Sequence, residues 1–126
     1  MGLLASLPVG LLATAILLVN NVRDLESDAR AGKRTLVVRL GRPAGQTLYA
    51  GTVAAAFLLV AAVALALSSP APLVAWLSAP LAAAPLRAVL RSREGPGLNA
   101  ALAATARLHL GFGVLLAGGM AWCMTW

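Results

Sequence analysis

The residues best suited to chemistry lie in one stretch, positions 20–31, which closes an uncharged apolar run and holds three of the chain's four acidic residues. If the preceding helix continues through this stretch, Asn20, Asp24 and Asp28 are spaced four apart and share one helical face. Two carboxylates at that spacing repel each other, and at the C-terminal end of a helix they also oppose the macrodipole. A divalent cation between Asp24 and Asp28 would make both interactions favourable. The alternative interpretation is a solvated, charged helix end.

The composition is that of a membrane protein. Of the 126 residues, 60% are hydrophobic and only 11% are charged, which is more apolar surface than a soluble domain of this size can bury. The ten basic and four acidic residues all lie between Arg23 and Arg107, and the long stretches between them carry no charge. This segregation predicts a polytopic membrane protein. Nucleic-acid binding is not indicated, since the basic residues lie in short loops without interleaved aromatic residues.

Four apolar stretches are long enough to cross the hydrocarbon, for which about 20 residues suffice. They run from Met1 to Val22, Gln46 to Leu67, Leu73 to Leu90, and Leu98 to Trp126. Pro80 and Pro85 lie inside the third span and predict a kink there. We therefore predict an all-α membrane protein with about four transmembrane helices, forming a single transmembrane domain over residues 1–126.

The charge of the two hydrophilic loops predicts the orientation. The loops at 23–45 and 87–97 hold nine of the ten basic residues, whereas the turn at 68–72 holds none. Four crossings place both basic loops on the same side of the membrane, and the positive-inside rule makes that side cytoplasmic. We expect a multi-pass protein of the inner (plasma) membrane. Within the first loop, Gly32 is expected to end the helix that carries the acidic residues.

The last span carries the remaining polar candidates. Arg107 lies about three turns into it, where a charged side chain costs about 2.5–3.5 kcal/mol on insertion scales. It either faces a cavity or partner, or snorkels back to the cytoplasmic interface. His109 is too isolated to propose as a metal ligand. Small residues recur four apart in this span and predict close helix packing. They are Ala100, Ala104, Gly113, Ala117 and Ala121.

The segment from Asn20 to Gly41, NNVRDLESDARAGKRTLVVRLG, resembles the second Asp-rich motif of the UbiA-type intramembrane prenyltransferases. The Asn-Asn-x-Arg-Asp-x-x-x-Asp start and the Gly-Lys-x-Thr-Leu-x-x-Arg-Leu-Gly continuation both match in type and spacing. The similarity is greatest to the branch that prenylates 1,4-dihydroxy-2-naphthoate on the menaquinone pathway. The alternating spans after the motif agree with the C-terminal half of the family's helical bundle.

The resemblance implies a function and a set of site residues. In this family, two Asp-rich motifs face each other across a cavity open to the bilayer, and they hold magnesium ions that bind the diphosphate of a polyprenyl donor. Carried over by position, Asp24 and Asp28 would be the catalytic magnesium ligands. The side chains implied to bind the diphosphate are Asn20, Asn21, Arg23, Lys33 and Arg34. The Ala- and Leu-rich spans would supply the water-excluding chamber that an allylic carbocation needs.

The expected reaction is transfer of a polyprenyl group from polyprenyl diphosphate to an aromatic acceptor, 1,4-dihydroxy-2-naphthoate in the branch resembled. The family's first motif needs further acidic residues that this chain does not have. Besides Asp24, Glu26 and Asp28, its only acidic residue is Glu94. We therefore expect a C-terminal half that does not catalyse prenyl transfer without an N-terminal half or a partner subunit. Two other functions stay open: a non-catalytic membrane module that binds anionic lipid or a partner through its basic loops, and a small transporter.

Single cysteines in a Cys123→Ser background test the predicted topology. With an impermeant thiol reagent on intact cells, we expect Ser69→Cys to be labelled, because the uncharged turn that carries it faces outward. Ser27→Cys and Ser92→Cys should react only after the membrane is permeabilised, and that step also shows that each thiol is reactive. Labelling of position 27 or 92 in intact cells would contradict the topology.

Overall fold

The fold is all-helical, as the sequence predicts. A computed structural model describes residues 2–92 and 95–123, and within them it contains six α-helices, one 3-10 helix and no strand. In chain order they are α1 (Gly2–Arg23), α2 (Leu25–Arg30), α3 (Leu36–Leu40), α4 (Arg42–Ala66), the 3-10 helix (Ala71–Ser78), α5 (Ala79–Arg91) and α6 (Gly95–Cys123). Four stretches are long and apolar enough to span a membrane: α1, α4, the 3-10 helix together with α5, and α6. The prediction of a four-span, all-α membrane protein is confirmed.

The second span begins at Arg42, four residues before the predicted start at Gln46. Gly41 has φ +87°, a conformation that favours glycine, and it ends α3. Pro43 then stands in the first turn of α4, where its missing N–H leaves no intrahelical hydrogen bond unmade. The helix therefore includes Arg42 and Pro43, which the charge pattern assigned to the loop.

The third span is irregular, as its prolines predict. Residues 71–78 form the 3-10 helix, and α5 follows without a break. Pro80 lies in the first turn of α5, where a missing N–H is tolerated, whereas Pro85 is buried within the helix. The irregularity takes the form of a change from 3-10 to α geometry. In the loop and span that follow, Arg93, Glu94 and Trp126 lie outside the described residues.

Each span packs through one face. On α1 the buried side chains follow a three- and four-residue spacing, with Leu12 and Val19 fully buried, and the helix packs mainly against α4 and α6. Between α4 and α6, the Tyr49 and Thr105 hydroxyl oxygens lie 2.8 Å apart in the buried interior. Thr105 donates its proton to the Ala101 carbonyl at 2.7 Å, so Tyr49 donates to Thr105. This chain satisfies both hydroxyls and joins α4 to α6.

The packing face of α6 is not the predicted one. Ala100, Ala117 and Ala121 are exposed and Ala104 and Gly113 are half-buried, so the small-residue spacing does not mark the buried face of α6 within the described part of the chain. The buried face carries mostly larger side chains, among them Leu98, Thr105, Leu108, Phe112 and Leu116. The close approach occurs at Gly119, where the α6 backbone meets the Ala71 carbonyl of the 3-10 helix.

This close approach predicts a difference between two neighbouring glycines. A Cβ at Gly119 would collide with the Ala71 carbonyl oxygen, whereas one at Gly118 has no neighbour within 4 Å. We expect Gly119→Ala to lower the free energy of unfolding by about 1–3 kcal/mol, as overpacking does in well-packed cores. Gly118→Ala, the matched control, should be neutral or slightly stabilising because alanine favours the helix. Thermal unfolding in detergent micelles measures both, and equal midpoints would contradict the close approach.

Candidate functional site

The acidic stretch keeps a helical spacing although α1 and α2 are separate helices. Asp24 lies between them in a turn, with φ −91° and ψ 8°. The Asp24 N–H nevertheless donates to the Asn20 carbonyl at 2.9 Å, and the Asp28 N–H donates to the Asp24 carbonyl at 2.8 Å. These bonds keep Asn20, Asp24 and Asp28 one turn apart. Glu26 lies off this face, with 79% of its side chain exposed.

Arg23 makes hydrogen bonds to three side chains of the site. Its Nε and Nη2 atoms donate to the two carboxylate oxygens of Asp24, at 2.7 and 2.9 Å. Nη2 also donates to Asn20 Oδ1 at 2.7 Å, and Nη1 donates to Asn99 Oδ1 on α6 at 3.2 Å. One guanidinium therefore joins the end of α1 to the start of α6. Its hydrogen bond lowers the pKa of the Asp24 carboxyl, although partial burial opposes the shift.

Lys33 is the corresponding cation for Asp28. Its Nζ donates to Asp28 Oδ1 at 2.7 Å, and Asp28 is buried while 63% of the Lys33 side chain is exposed. The end of α2 sets this geometry: the Gly32 N–H donates to the Ala29 carbonyl and the Lys33 N–H donates to the Asp28 carbonyl, with Gly32 at φ +71°. This is a Schellman ending, which confirms Gly32 as a helix stop. The hydrogen bond to Asp28 raises the pKa of Lys33.

The loop after α2 is held against the ends of two spans. The Thr35 hydroxyl accepts from the Val38 N–H at 3.2 Å and caps α3, whose Val37 is fully buried. Gly45, near the start of α4, lies so close that a Cβ there would be 2.9 Å from methyl carbons of both Val22 and Val37. This packing fixes the loop relative to the end of α1.

The structure therefore brings together a motif cluster of six side chains from three parts of the chain. They are Asn20, Arg23, Asp24, Asp28, Lys33 and Asn99. Asn21 is half-buried and Arg34 is exposed, and neither side chain bonds to these residues within the described ranges, so their roles stay predictions. Arg107 is exposed on α6 and lies about 12 Å along the helix axis from Asn99. His109 Nδ1 is buried without a hydrogen-bond partner in the described part of the chain.

Sequence reasoning missed Asn99 and Arg42. Asn99 accepts from a guanidinium 76 positions earlier in the chain. Arg42 donates to the Val22 carbonyl at 3.1 Å and lies 4.0 Å from Glu26, so it secures the end of α1. One signal existed for Asn99, which is the only asparagine outside positions 20–21 and stands where an apolar span begins. Arg42 offered none, because its contact depends on how the loop folds back.

The oxygen atoms of the motif cluster suit a hard divalent cation. Asn20, Asp24 and Asp28 offer amide and carboxylate oxygens one turn apart. Within residues 2–92 and 95–123, no group of three His, Cys, Asp or Glu side chains could hold a metal. Magnesium commonly binds through one or two carboxylates, keeps several waters and takes further ligands from substrate phosphates. The residues therefore fit magnesium bound together with a diphosphate.

The fold and the motif cluster define a polytopic membrane protein with an Asp-rich polar site at the end of its first span. The model of the UbiA prenyltransferase family matches residues 1–111. The chain is 32% identical over 119 residues to a 1,4-dihydroxy-2-naphthoate octaprenyltransferase of Bacillus subtilis, and 37% identical over 120 residues to one of Mycobacterium tuberculosis. These matches cover 94% and 95% of this chain. A shorter match is to the Escherichia coli protein of the same name, 69% identical over 32 residues. It covers 25% of this chain and 10% of that protein.

The chain belongs to the UbiA prenyltransferase family. The resemblance inferred from the segment at 20–41 is thereby confirmed. The two long matches cover 38% and 40% of the relatives, so the chain spans about two fifths of the length of the curated relatives it matches. No solved structure is significantly similar to it.

Titration of the aspartates tests the pairing of Arg23 with Asp24, and the chain has only two of them. In carboxyl-labelled protein studied by carbon-13 NMR in micelles, Asp24→Asn identifies the two signals. We expect Asp24 to titrate below the usual value of about 3.9, and Arg23→Gln to move its pKa back up because the hydrogen bond is lost. Lys33→Gln is the matched control, since its charge contributes least to the Asp24 shift. An Asp24 pKa unchanged by Arg23→Gln would contradict the pairing.

The lowered pKa of Asp24 also predicts how the stability of the fold changes in acid. Because the Asp24 pKa is lower in the folded protein than in the unfolded chain, the pair stabilises the fold above about pH 4. Its contribution is lost as the pH falls through the folded-state pKa. Acid should therefore lower the thermal midpoint less in Arg23→Gln than in the native chain.

Proposed function

We propose that this chain forms part of a magnesium-dependent prenyltransferase that moves a polyprenyl group from polyprenyl diphosphate to an aromatic acceptor, with 1,4-dihydroxy-2-naphthoate as the acceptor. Family membership and the names of the relatives support the reaction class. The observation that carries the proposal is the pairing of Arg23 with Asp24 and of Lys33 with Asp28 at the end of an apolar bundle. Carboxylates for a metal and cations for phosphate are the groups that such a donor requires.

Each side chain has a separate task in this proposal. Asp24 and Asp28 would hold magnesium, which supplies positive charge to the diphosphate as its bond to the prenyl group breaks. Lys33 has three N–H donors and uses one on Asp28, so others are available for a phosphate oxygen. The further diphosphate-binding side chains would be Asn20, Asn21, Arg23 and Arg34.

The reaction divides between the polar end and the apolar interior of the bundle. The allylic C–O bond of the donor breaks, and both electrons leave with the diphosphate, where Lys33 and Arg23 stabilise the negative charge. An electron-rich ring carbon of the acceptor attacks the allylic carbocation and forms the new C–C bond. The ring regains its aromaticity by losing the group that this carbon carried, which is a proton passed to the departing diphosphate or, at the carboxylated carbon, CO2. Because water would capture the carbocation, the step depends on the dry surroundings that the apolar spans provide.

Exposed basic residues on the same loop favour a second function, binding to anionic lipid. Arg30, Arg34 and Arg39 are exposed and form no ion pair among the described residues, and Leu36 and Leu40 beside them are exposed as well. Such side chains suit a negatively charged leaflet, at about 1 kcal/mol for each Lys or Arg near the surface. Lipid binding requires neither aspartate nor a metal, and this separates it from the proposed reaction.

Magnesium-dependent binding of a prenyl diphosphate tests the proposed function. We expect Asp24→Ala or Asp28→Ala to weaken it about 10- to 100-fold, as the loss of groups that support a metal does elsewhere. Glu26→Ala is the matched control, because Glu26 lies off the acidic face with 79% of its side chain exposed. Equal losses in all three variants would show that bulk negative charge, and not the paired aspartates, binds the donor.

Donor binding and prenyl transfer are both measured with the chain in lipid vesicles, together with the N-terminal part of a full-length relative. That part carries the first Asp-rich motif. The chain spans about two fifths of the relatives' length, and we propose that it supplies one side of the diphosphate site. Vesicles with the chain alone are the control, in which prenyl transfer should be absent. Turnover there would instead favour a two-fold symmetric dimer with an aspartate pair from each chain.

A further inference from the structure

The oxygen atoms proposed to bind magnesium already contact a cation of the chain itself. Both carboxylate oxygens of Asp24 and the amide oxygen of Asn20 accept hydrogen bonds from Arg23, at distances between 2.7 and 2.9 Å. The guanidinium is a single charge spread over a planar group, whereas a divalent ion is a compact double charge. A metal on these oxygens must therefore share them with Arg23 or displace it, and repulsion between two adjacent cations favours displacement.

Asp28 differs from Asp24 in this respect. Its Oδ1 atom accepts from Lys33, and its Oδ2 atom has no hydrogen-bond partner among the described residues. Asp28 can therefore bind a metal through Oδ2 while it keeps Lys33. Asp24 has no such spare oxygen, because the guanidinium engages both. A metal at Asp24 thus competes with Arg23 for both oxygens, whereas a metal at Asp28 leaves the bond to Lys33 in place.

Asn99 can retain the guanidinium after it leaves the metal-binding oxygens. It lies on α6, it is neutral, and it accepts from Nη1 at 3.2 Å. Nη1 is the nitrogen that bonds neither Asp24 nor Asn20, so the bond to Asn99 uses none of the donors that contact the metal-binding oxygens. The released donors form a planar fork, the arrangement that suits a phosphate group.

We propose that Arg23 is an exchangeable internal cation at the metal site. It neutralises Asp24 and Asn20 when no metal is bound, and it moves off them when they bind a divalent cation. Its freed donors then bind the diphosphate that arrives with the metal, while Asn99 acts as the positioning residue that keeps the guanidinium at the site. This inference rests on the proposed function and assigns a role to a residue outside the Asp-rich motif.

Binding of the metal alone tests the exchange. Manganese(II) takes oxygen ligands as magnesium does, and its binding to the chain in lipid nanodiscs can be followed by electron paramagnetic resonance. We expect Arg23→Gln to bind manganese roughly three- to tenfold more tightly than the native chain, since a charge-assisted pair no longer competes. Arg30→Gln is the matched control, because it removes the same charge from an exposed side chain on α2. Weaker or equal binding by Arg23→Gln, or an equal gain in Arg30→Gln, would overturn the exchange.

Pyrophosphate binding in the presence of manganese tests the second half of the proposal. Arg23→Gln should bind pyrophosphate more weakly than the native chain, opposite in sign to its effect on the metal. Asn99→Ala should also lose pyrophosphate affinity while its affinity for manganese alone stays near the native value, and Asn99→Gln should recover part of the loss. If Asn99→Ala lowers both affinities and the thermal midpoint together, without rescue by Asn99→Gln, its role is structural and the positioning role is wrong.

The two proposals fail in different ways. If the chain does not bind a prenyl donor, magnesium-dependent binding of prenyl diphosphate is absent while Arg23→Gln still raises the manganese affinity. If the exchange is wrong, prenyl diphosphate binds with magnesium, and Arg23→Gln leaves the manganese affinity unchanged or lower.

Discussion

Two aspartates one helical turn apart, Asp24 just after α1 and Asp28 within α2, repel each other. The chain neutralises them with its own residues, Arg23 on Asp24 and Lys33 on Asp28. The two cations are positioned differently. Arg23 directly precedes Asp24 in the chain, whereas Lys33 lies beside Asp28 because the chain reverses direction at Gly32. The charge balance at this end of the bundle therefore depends on the backbone after α2 as much as on the acids.

The helices around this site are arranged to hold it in place. Arg42 donates to the Val22 carbonyl at the C-terminal end of α1, where a cation is favourable. Gly45 allows α4 to approach α1 and α3 closely, and Asn99 adds a contact from α6. Two of the four spans, α1 and α6, thus contribute side chains to the motif cluster, and α4 holds the end of α1 and the loop beside it. A site assembled in this way is fixed by the bundle even though most of its residues lie on one short stretch.

What the sequence could predict was local. The spacing of Asn20, Asp24 and Asp28 follows from the helical period, and the helix stop follows from the conformational freedom of Gly32. The contact between Arg23 and Asn99 could not be predicted, because residues 76 positions apart meet only through the packing of the bundle.

The packing face of α6 shows a second limit. Apolar residues surround a membrane helix on every side, so periodicity does not distinguish the face toward lipid from the face toward a neighbouring helix. Small residues recur four apart on one side of α6, and Leu108, Phe112 and Leu116 recur four apart on another. The spacing alone favoured the first set, whereas the structure buries the second.

The contact between the first and last spans also has a consequence for biosynthesis. The pairs of Arg23 with Asp24 and of Lys33 with Asp28 are local, so they can form as soon as the first loop has left the ribosome. Asn99 follows Arg23 by 76 positions, which corresponds to roughly 4–15 s of synthesis at about 5–20 residues per second. The acidic face is therefore neutralised early, during membrane insertion, whereas the join between α1 and α6 is completed only when the last span enters the bilayer.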